Sequence, residues 1–358
     1  MKVIFITSES LIDHSYTMII WLRKRIQLDV VFIARKETPE IRDFCNMLNA
    51  KFVKRARYKN PLSIFKEIKL LRYIKKQKAD LVWFNTLTLL QSVLLKFFIR
   101  RPLINAHDIE YHPGISDYHG IFSQKLTFRL FKNCIAVMSN TQSEIFEKQY
   151  GFKPFILQLP VIDYYEATSD SKDGKKDNSN KVKFLFFGSI LPYKGIEKLI
   201  KAAKILEDKN LEFELNIHGK LRYDQEKIST GIAELKNAKH ENEFIDYKKV
   251  YNVYQSNDVI IIPYIQVSQC GPLLIGYSQN VPCITSDQPG FREYIDDGCS
   301  GLVFDNTPEG LAGKMEEIIK SPQRINEMKT FIQNETKQRF SMQTLAGKYI
   351  EIFKAFIF

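Results

Sequence analysis

The chain has 358 residues, 44% hydrophobic and 26% charged, a balance that excludes disordered and fibrous classes and suits a globular protein. A chain of this length fits two domains of roughly 150 to 180 residues each better than one core. The formal net charge of +11 is unevenly placed, because residues 1–160 carry 26 Lys and Arg against 13 Asp and Glu, so the whole excess lies in the first half.

The five cysteines, Cys45, Cys134, Cys270, Cys283 and Cys299, form no C-x-x-C pair and have no clustered histidines. Neither a disulfide framework nor a zinc site is expected. The apolar run Val3 to Ile6 is too short for a signal-peptide core. The longer apolar region, Leu81 to Ile99, is broken by Asn85, Thr86, Thr88, Gln91 and Lys96, so it does not read as a membrane span. The expected location is the cytoplasm.

In chain order, Lys2 to Ile6 reads as a buried parallel strand, followed by a polar loop from Thr7 to His14 and an amphipathic helix to about Arg25. Val30 to Ile33, Leu81 to Phe84, Leu103 to Ala106 and Cys134 to Met138 continue the strands, with helical segments between them. This alternation predicts a doubly wound parallel sheet, whose ligands bind at loops after the carboxyl ends of strands. Three such loops stand out: Thr7 to Ser10, Ala106-His107-Asp108 and Ser139-Asn140-Thr141. The composition then turns polar between Tyr165 and Asn180, as expected of a connection. The alternation restarts at Phe184 to Phe187, with a helix over Ile196 to Leu206, strands at Leu211 to Ile217 and Phe244-Ile245, and a further unit from Val259 onward.

That last unit reads as strand, loop, helix, strand, loop, helix. Val259 to Ile262 ends at Pro263, the turn Ser268-Gln269-Cys270-Gly271 opens a helix at Pro272, Cys283 to Thr285 is a strand, and a Pro-Gly turn at Pro289-Gly290 precedes a helix carrying Glu293. The first loop brings backbone N–H groups to a helix N-terminus, an arrangement suited to a phosphate. Upstream, Gly188 closes a strand and Lys194-Gly195 stands before a helix, so Lys194 is placed to meet the same anion as a point charge. The spacing is not that of a P-loop. Cys270 lies in the turn and is open to reading as a nucleophile or as a buried small side chain, with no base nearby in sequence.

The ordered set FFGSILPYKG, NDVIIIPY, SQCG, VPCITS, PGFRE and DGCSGLVF, from Phe184 to about Leu311, resembles the C-terminal half of family 4 glycosyltransferases, in a branch with a Ser-Gln-x-Gly turn. The first half resembles that family more loosely, at Asn105 to Asp108 and Met138 to Thr141. The resemblance implies an α/β protein of GT-B fold, two Rossmann-like βαβ domains facing across a cleft. Residues 1–163 would be the acceptor domain, 164–180 a polar linker, 181–335 the donor domain and 336–358 a helix crossing back to the first domain. It further implies transfer of a sugar from a nucleotide-sugar, UDP- or GDP-linked, with retention at the anomeric carbon. Carried over by position, Ser189, Lys194, Ser268, Gln269, Cys270, Gly271, Pro272 and Glu293 would hold the donor, and His107 with Asp108 would contact the reacting sugar. His112 accompanies these two in the same loop. Two departures stand out: Ser189 replaces the family's Arg, and the paired Glu positions fall on Val267 and Ile275. No cofactor and no obligatory metal are expected, since no Asp-x-Asp pair is present.

Two other functions compete: a GT-B nucleotide-sugar epimerase, which would need carboxylates at the sugar, and a basic nucleic-acid-binding protein, for which no base-reading motif is found. The charge split points elsewhere. In Lys51 to Lys78 and Leu94 to Arg101, cations alternate with Ile64, Phe65, Ile68, Leu70, Leu71, Ile74, Leu94, Leu95, Phe97, Phe98 and Ile99. Such segments suit an anionic leaflet, so peripheral binding to the inner membrane face and a lipid-linked glycan acceptor are expected, in surface polysaccharide synthesis.

Overall fold

A computed structural model describes residues 1–55, 63–109, 118–170 and 181–357. They form two compact units, one running to Pro160 and resuming at Met342, the other spanning Val161–Ser341.

In the first unit, strands β1 (Lys2–Ser8), β2 (Gln27–Ala34), β3 (Lys51–Lys54), β4 (Leu81–Phe84), β5 (Pro102–Asn105), β6 (Ile135–Val137) and β7 (Phe155–Ile156) form one sheet. Its order is β3-β2-β1-β4-β5-β6-β7, and the pairings are parallel, with Phe5 opposite Val30 and Trp83. Continuous apolar runs predict strands of this kind, because both faces of a parallel sheet are covered. Helices α1 (Ile12–Leu22), α2 (Pro39–Met47), α3 (Ser63–Lys76), α4 (Leu89–Phe98), α5 (Tyr118–Leu130) and α6 (Asn140–Tyr150) supply the crossovers. Their starts are written locally: Thr38 caps α2 ahead of Pro39, Thr88 and Gln91 form a reciprocal capping box on α4, and Ser139 caps α6.

The C-terminal helix, Met342–Ile357, belongs to this first unit. Its aromatic side explains the tail's composition: Phe353 lies 5.1 Å from Trp83 and Phe356 lies 5.5 Å from Phe155, ring centre to ring centre. The Tyr349 hydroxyl donates to the backbone around Leu157 and Gln158. The return begins at Met342 and not at residue 336, because Arg339 pairs with Asp296 and Lys337 donates to the Ser278 carbonyl within the second unit.

The second unit has strands β8 (Val182–Phe187), β9 (Phe213–His218), β10 (Ala238–Glu241), β11 (Val259–Ile262), β12 (Cys283–Ser286) and β13 (Gly301–Phe304), in the parallel order β10-β9-β8-β11-β12-β13. Helices α7 (Tyr164–Thr168), α8 (Ile196–Asp208), α9 (Gln225–Ala233), α10 (Val250–Gln255), α11 (Gly271–Ser278), α12 (Pro289–Arg292) and α13 (Pro308–Lys320) come next, then shorter helical pieces to Arg339. Phe184, Leu199, Leu215, Ile261, Ile284 and Met315 are among its buried core.

Three further expectations are corrected. The chain from Tyr164 to Thr168 is helix rather than linker, with Tyr164 fully buried against Tyr247. Residues 171–180 and His112 lie outside the described residues. Phe244-Ile245 is not a strand, since the edge strand ends at Glu241 and Phe244 is exposed beside Lys220 and Arg222. Leu70, Leu71, Ile74, Leu95 and Ile99 are core, so only part of the apolar set assigned to a membrane face is outward. Packing against the sheet took them, which periodicity alone cannot distinguish from insertion into lipid.

Candidate functional site

In the second unit the candidate residues gather where β8 and β11 end. Lys194 closes a 3-10 turn, Pro192–Lys194, that follows β8. This turn is tied to the chain after β11 by the Ile265 N–H, which donates to Tyr193 O at 2.7 Å. Gly195 makes that approach possible: its φ is +69°, and a Cβ there would fall 2.0 Å from the Pro263 carbonyl. The turn therefore drives Lys194 inward, leaving it 8% exposed.

The ammonium reaches back over the strand end, where a side chain at Gly188 would come within 3.0 Å of Nζ. It lies 5.4 Å from the Tyr264 ring centre. Among the described residues no carboxylate pairs with it, and burial pulls its pKa down to about 8, with the neighbouring Cys270 acting weakly the other way. Cys270 and Tyr264 are themselves buried, and desolvation pushes the thiol up to about 12 and the phenol well above its ordinary value. The Tyr264 hydroxyl faces this cluster without a partner in hydrogen-bond geometry. A buried cation left without an anion is costly, and its natural complement is a bound anion.

Helix α11 starts at this cluster. Cys270 is its N-cap residue, its sulfur set toward the Leu273 N–H, and the N–H of Gly271 has no intrahelical partner. Pro272 is helical in the first turn, where its missing N–H costs nothing. Ser268 and Gln269 are half-buried just before it, and Ser189 is half-buried after Gly188. The turn is braced by α12: a Cβ on Gly290 would sit 2.8 Å from the Val267 carbonyl, so only glycine lets the two segments touch.

Two assignments change. Pro289 and Gly290 begin α12 rather than precede it, and Glu293 stands at the helix's C-cap. Cys270 is no accessible nucleophile, because its buried thiol stays protonated at neutral pH. Val267 packs on Gly290 and Ile275 is buried within α11, so neither position offers a carboxylate equivalent.

In the first unit, the carboxyl ends of β1, β4 and β5 carry a buried polar chain. Thr7 and Ser15 share a hydrogen bond of 2.6 Å, Asn85 donates toward Ser15 at 3.2 Å, and Asn105 donates to Asn85 Oδ1 at 2.7 Å. Trp83 Nε1 donates to Asn105 Oδ1 at 2.8 Å. His107 joins at the end, with Nε2 2.9 Å from both Asn85 O and Asn85 Oδ1, while Gln142 holds its carbonyl at 2.6 Å. Asp108 follows, and its carbonyl accepts from Gln124. In the second unit, the His218 carbonyl accepts from the Gly188 N–H at 2.9 Å, while its ring pairs with Glu241 at 3.1 Å and burial lowers its pKa against that partner. Among the described residues there is no cluster of three His, Cys, Asp or Glu able to hold a metal ion.

Comparison with known proteins now bears on these features. Residues 168–338 match the family model described as glycosyl transferases group 1. That match falls within the second unit. A glycosyltransferase of Methanocaldococcus jannaschii, itself uncharacterised, is 24% identical over 260 residues; the alignment covers 69% of this chain and 64% of that relative's length. The crystal structure of a glycosyltransferase from Rickettsia africae superposes with a TM-score of 0.75 at 17% identity, over 99% of each chain. HepE from Anabaena, in complex with UDP-glucose, superposes with a TM-score of 0.76 at 15% identity, over 99% of this chain and 100% of its own. The fold is GT-B.

Reading the sequence missed Tyr264 as part of the buried cluster, Gly290 as the brace of the turn, and the pair Asn85 and Asn105. A signal for the last was present, since each asparagine directly ends a buried apolar strand run, LVWF or PLI. A polar residue there must find a partner inside.

Proposed function

We propose that the protein is a glycosyltransferase that takes a nucleotide-sugar donor in its second unit and passes the sugar, with retention, to a lipid-linked glycan acceptor. The observation that carries this is Lys194, a buried ammonium with no carboxylate partner among the described residues, set beside the first turn of α11. A donor diphosphate supplies the missing anion. UDP is the favoured nucleotide, supported by a neighbour of the same fold that binds UDP-glucose.

In transfer, the bond between the anomeric carbon and the diphosphate oxygen breaks while a bond to the acceptor hydroxyl oxygen forms. The hydroxyl proton leaves with the departing diphosphate or to solvent. Charge therefore grows on the diphosphate, which Lys194 and the N–H of Gly271 are placed to stabilise. Ser189, Ser268 and Gln269 would contact the donor's sugar and phosphates, and His107 with Asp108 the transferred sugar. Membrane-bound glycan synthesis at the inner leaflet is the setting, supported by the excess of cations in the first half of the chain.

The test is a thermal-shift panel of UDP-, GDP-, ADP- and dTDP-sugars, followed by turnover with lipid-linked and soluble acceptors. A donor that stabilises the wild type and not the Lys194→Met variant is expected. Epimerised sugar released without an acceptor would instead establish an epimerase, and no response to any nucleotide-sugar would overturn the proposal.

A further inference from the structure

Helices α3, α4 and α5 form one layer over the first sheet. Gln91 of α4 donates to Glu67 of α3 at 2.9 Å, and Ser92 of α4 shares a 2.6 Å hydrogen bond with Thr127 of α5. These contacts give α4 an unusual polarity. Its polar Gln91 and Ser92 are buried, while Leu89, Val93 and Phe97, spaced along one outward stripe, are exposed. Phe97 is 75% exposed, flanked by Phe65 of α3 at 67% and Phe122 of α5 at 61%. Single exposed apolar residues are ordinary, but three phenylalanines and two aliphatics on one helical layer are not.

The charge around them is one-sided. Exposed Lys66, Lys69, Arg72, Lys75 and Lys76 stand on α3, Lys96 on α4, and Lys125 and Arg129 on α5. Glu67 is the sole acidic residue of the three helices, and it is buried against Gln91. Among the described residues no carboxylate pairs with any of these cations. A second copy of the chain is a poor occupant, because a self-facing patch would bring like charges together. A nucleic acid would satisfy the cations but leave Leu89, Val93 and the phenylalanines in contact with phosphate and water.

We propose that the outer face of α3, α4 and α5 docks on an anionic lipid bilayer, with Phe65, Phe97 and Phe122 entering the acyl boundary and the lysines and arginines lying at the headgroups. An anionic leaflet meets both features at once, apolar depth for the rings and negative charge for the rim. The inference deepens the reading of a lipid-linked acceptor and rests on it for its purpose, though the surface is argued from its own residues.

The experiment is co-sedimentation of the full chain with vesicles of phosphatidylglycerol and phosphatidylcholine, or of phosphatidylcholine alone, at low and high salt. Binding to the anionic vesicles is expected, weakened by salt and lost on neutral ones. The combined variant Phe65→Ser, Phe97→Ser and Phe122→Ser should reduce partitioning at least about tenfold. Lys66→Gln with Lys69→Gln and Lys125→Gln should weaken binding at low salt and flatten its dependence on salt. All these residues are exposed, so a matched melting temperature verifies folding. UDP-glucose binding, measured in parallel, should be unchanged in every variant. Donor binding without vesicle binding would overturn this inference and leave the enzymatic reading intact, whereas vesicle binding without any nucleotide-sugar binding would do the reverse. Retention of single-stranded RNA in place of vesicles, or a dimer that the phenylalanine variant dissociates, would equally overturn it.

Discussion

His107 donates its Nε2 proton to Asn85, whose backbone carbonyl and Oδ1 both lie 2.9 Å from that nitrogen. A carbonyl can only accept, so Nε2 carries the proton regardless of how the Asn85 amide is oriented. Asn105 and Ser15 fix Asn85 in turn, so the tautomer is set from inside the sheet. Asn85→Asp places a carboxylate at the same point, where Asn105, Thr7 and Ser15 can all donate to it. Transfer activity should fall about tenfold or more, because the carboxylate puts a buried charge beside the ring and draws those donors to itself. Asn85→Ala, which keeps the backbone carbonyl, should be the milder change. Wild-type activity in Asn85→Asp would show that the setting of His107 does not matter to transfer.

Lys194→Met should raise stability and weaken donor binding together. The buried ammonium carries an uncompensated desolvation cost, which its pKa of about 8 records. Removing it should stabilise the free protein by about 1–3 kcal/mol. The lost charge-assisted contact should reduce UDP-sugar affinity by about 1.5–3 kcal/mol. Denaturant unfolding and calorimetric titration give the two values, and a loss of both stability and affinity would contradict the account.

The same group sets a pH dependence with a definite sign. Its folded pKa is lowered, so between about pH 8 and its ordinary value the unfolded chain holds a proton that the folded chain has released, and stability at this site rises with pH. Donor binding runs the other way. A diphosphate favours the ammonium, so binding above about pH 8 should take up a proton, and affinity should fall as pH rises further. Titration in two buffers of different ionisation enthalpy measures that uptake directly.

Two glycines should separate folding from binding. Gly195→Ala combines φ of +69° with a Cβ 2.0 Å from the Pro263 carbonyl, and should cost about 2–4 kcal/mol of stability. Gly290→Ala meets only the Val267 carbonyl at 2.8 Å, so displacing the turn is the easier response. It should lower donor affinity about tenfold with a smaller stability loss, about 1 kcal/mol. Equal effects on both properties in both variants would remove the distinction.

Thiol labelling should report burial rather than chemistry. Cys299 is exposed, Cys270 and Cys283 are buried with pKa values pushed up to about 12, and desolvation with Glu37 nearby raises Cys45 to about 11. Maleimide at pH 7.5 followed by peptide mass analysis should mark Cys299 first. Cys270→Ser should retain transfer activity, and its loss would restore a chemical role to that sulfur.

By itself the sequence determined the β/α alternation and its restart after the polar stretch. Strands buried on both faces must be continuous apolar runs, and helix starts carry their caps within three residues, so both are local signals. It also placed Lys194 and the Ser268 to Gly271 turn at strand ends, where a phosphate is expected. Only the tertiary structure decided that Lys194 is buried rather than solvated, because that depends on Gly195 meeting a carbonyl some 70 residues away in sequence. It alone decided that Cys270 is inert, that Tyr164 is core, and that Leu70, Leu71 and Ile74 face the sheet while Phe65 and Phe97 face out. A cationic helix looks the same in sequence whichever side packs. The neighbours that desolvate a group, or leave it in water, are supplied by other parts of the chain.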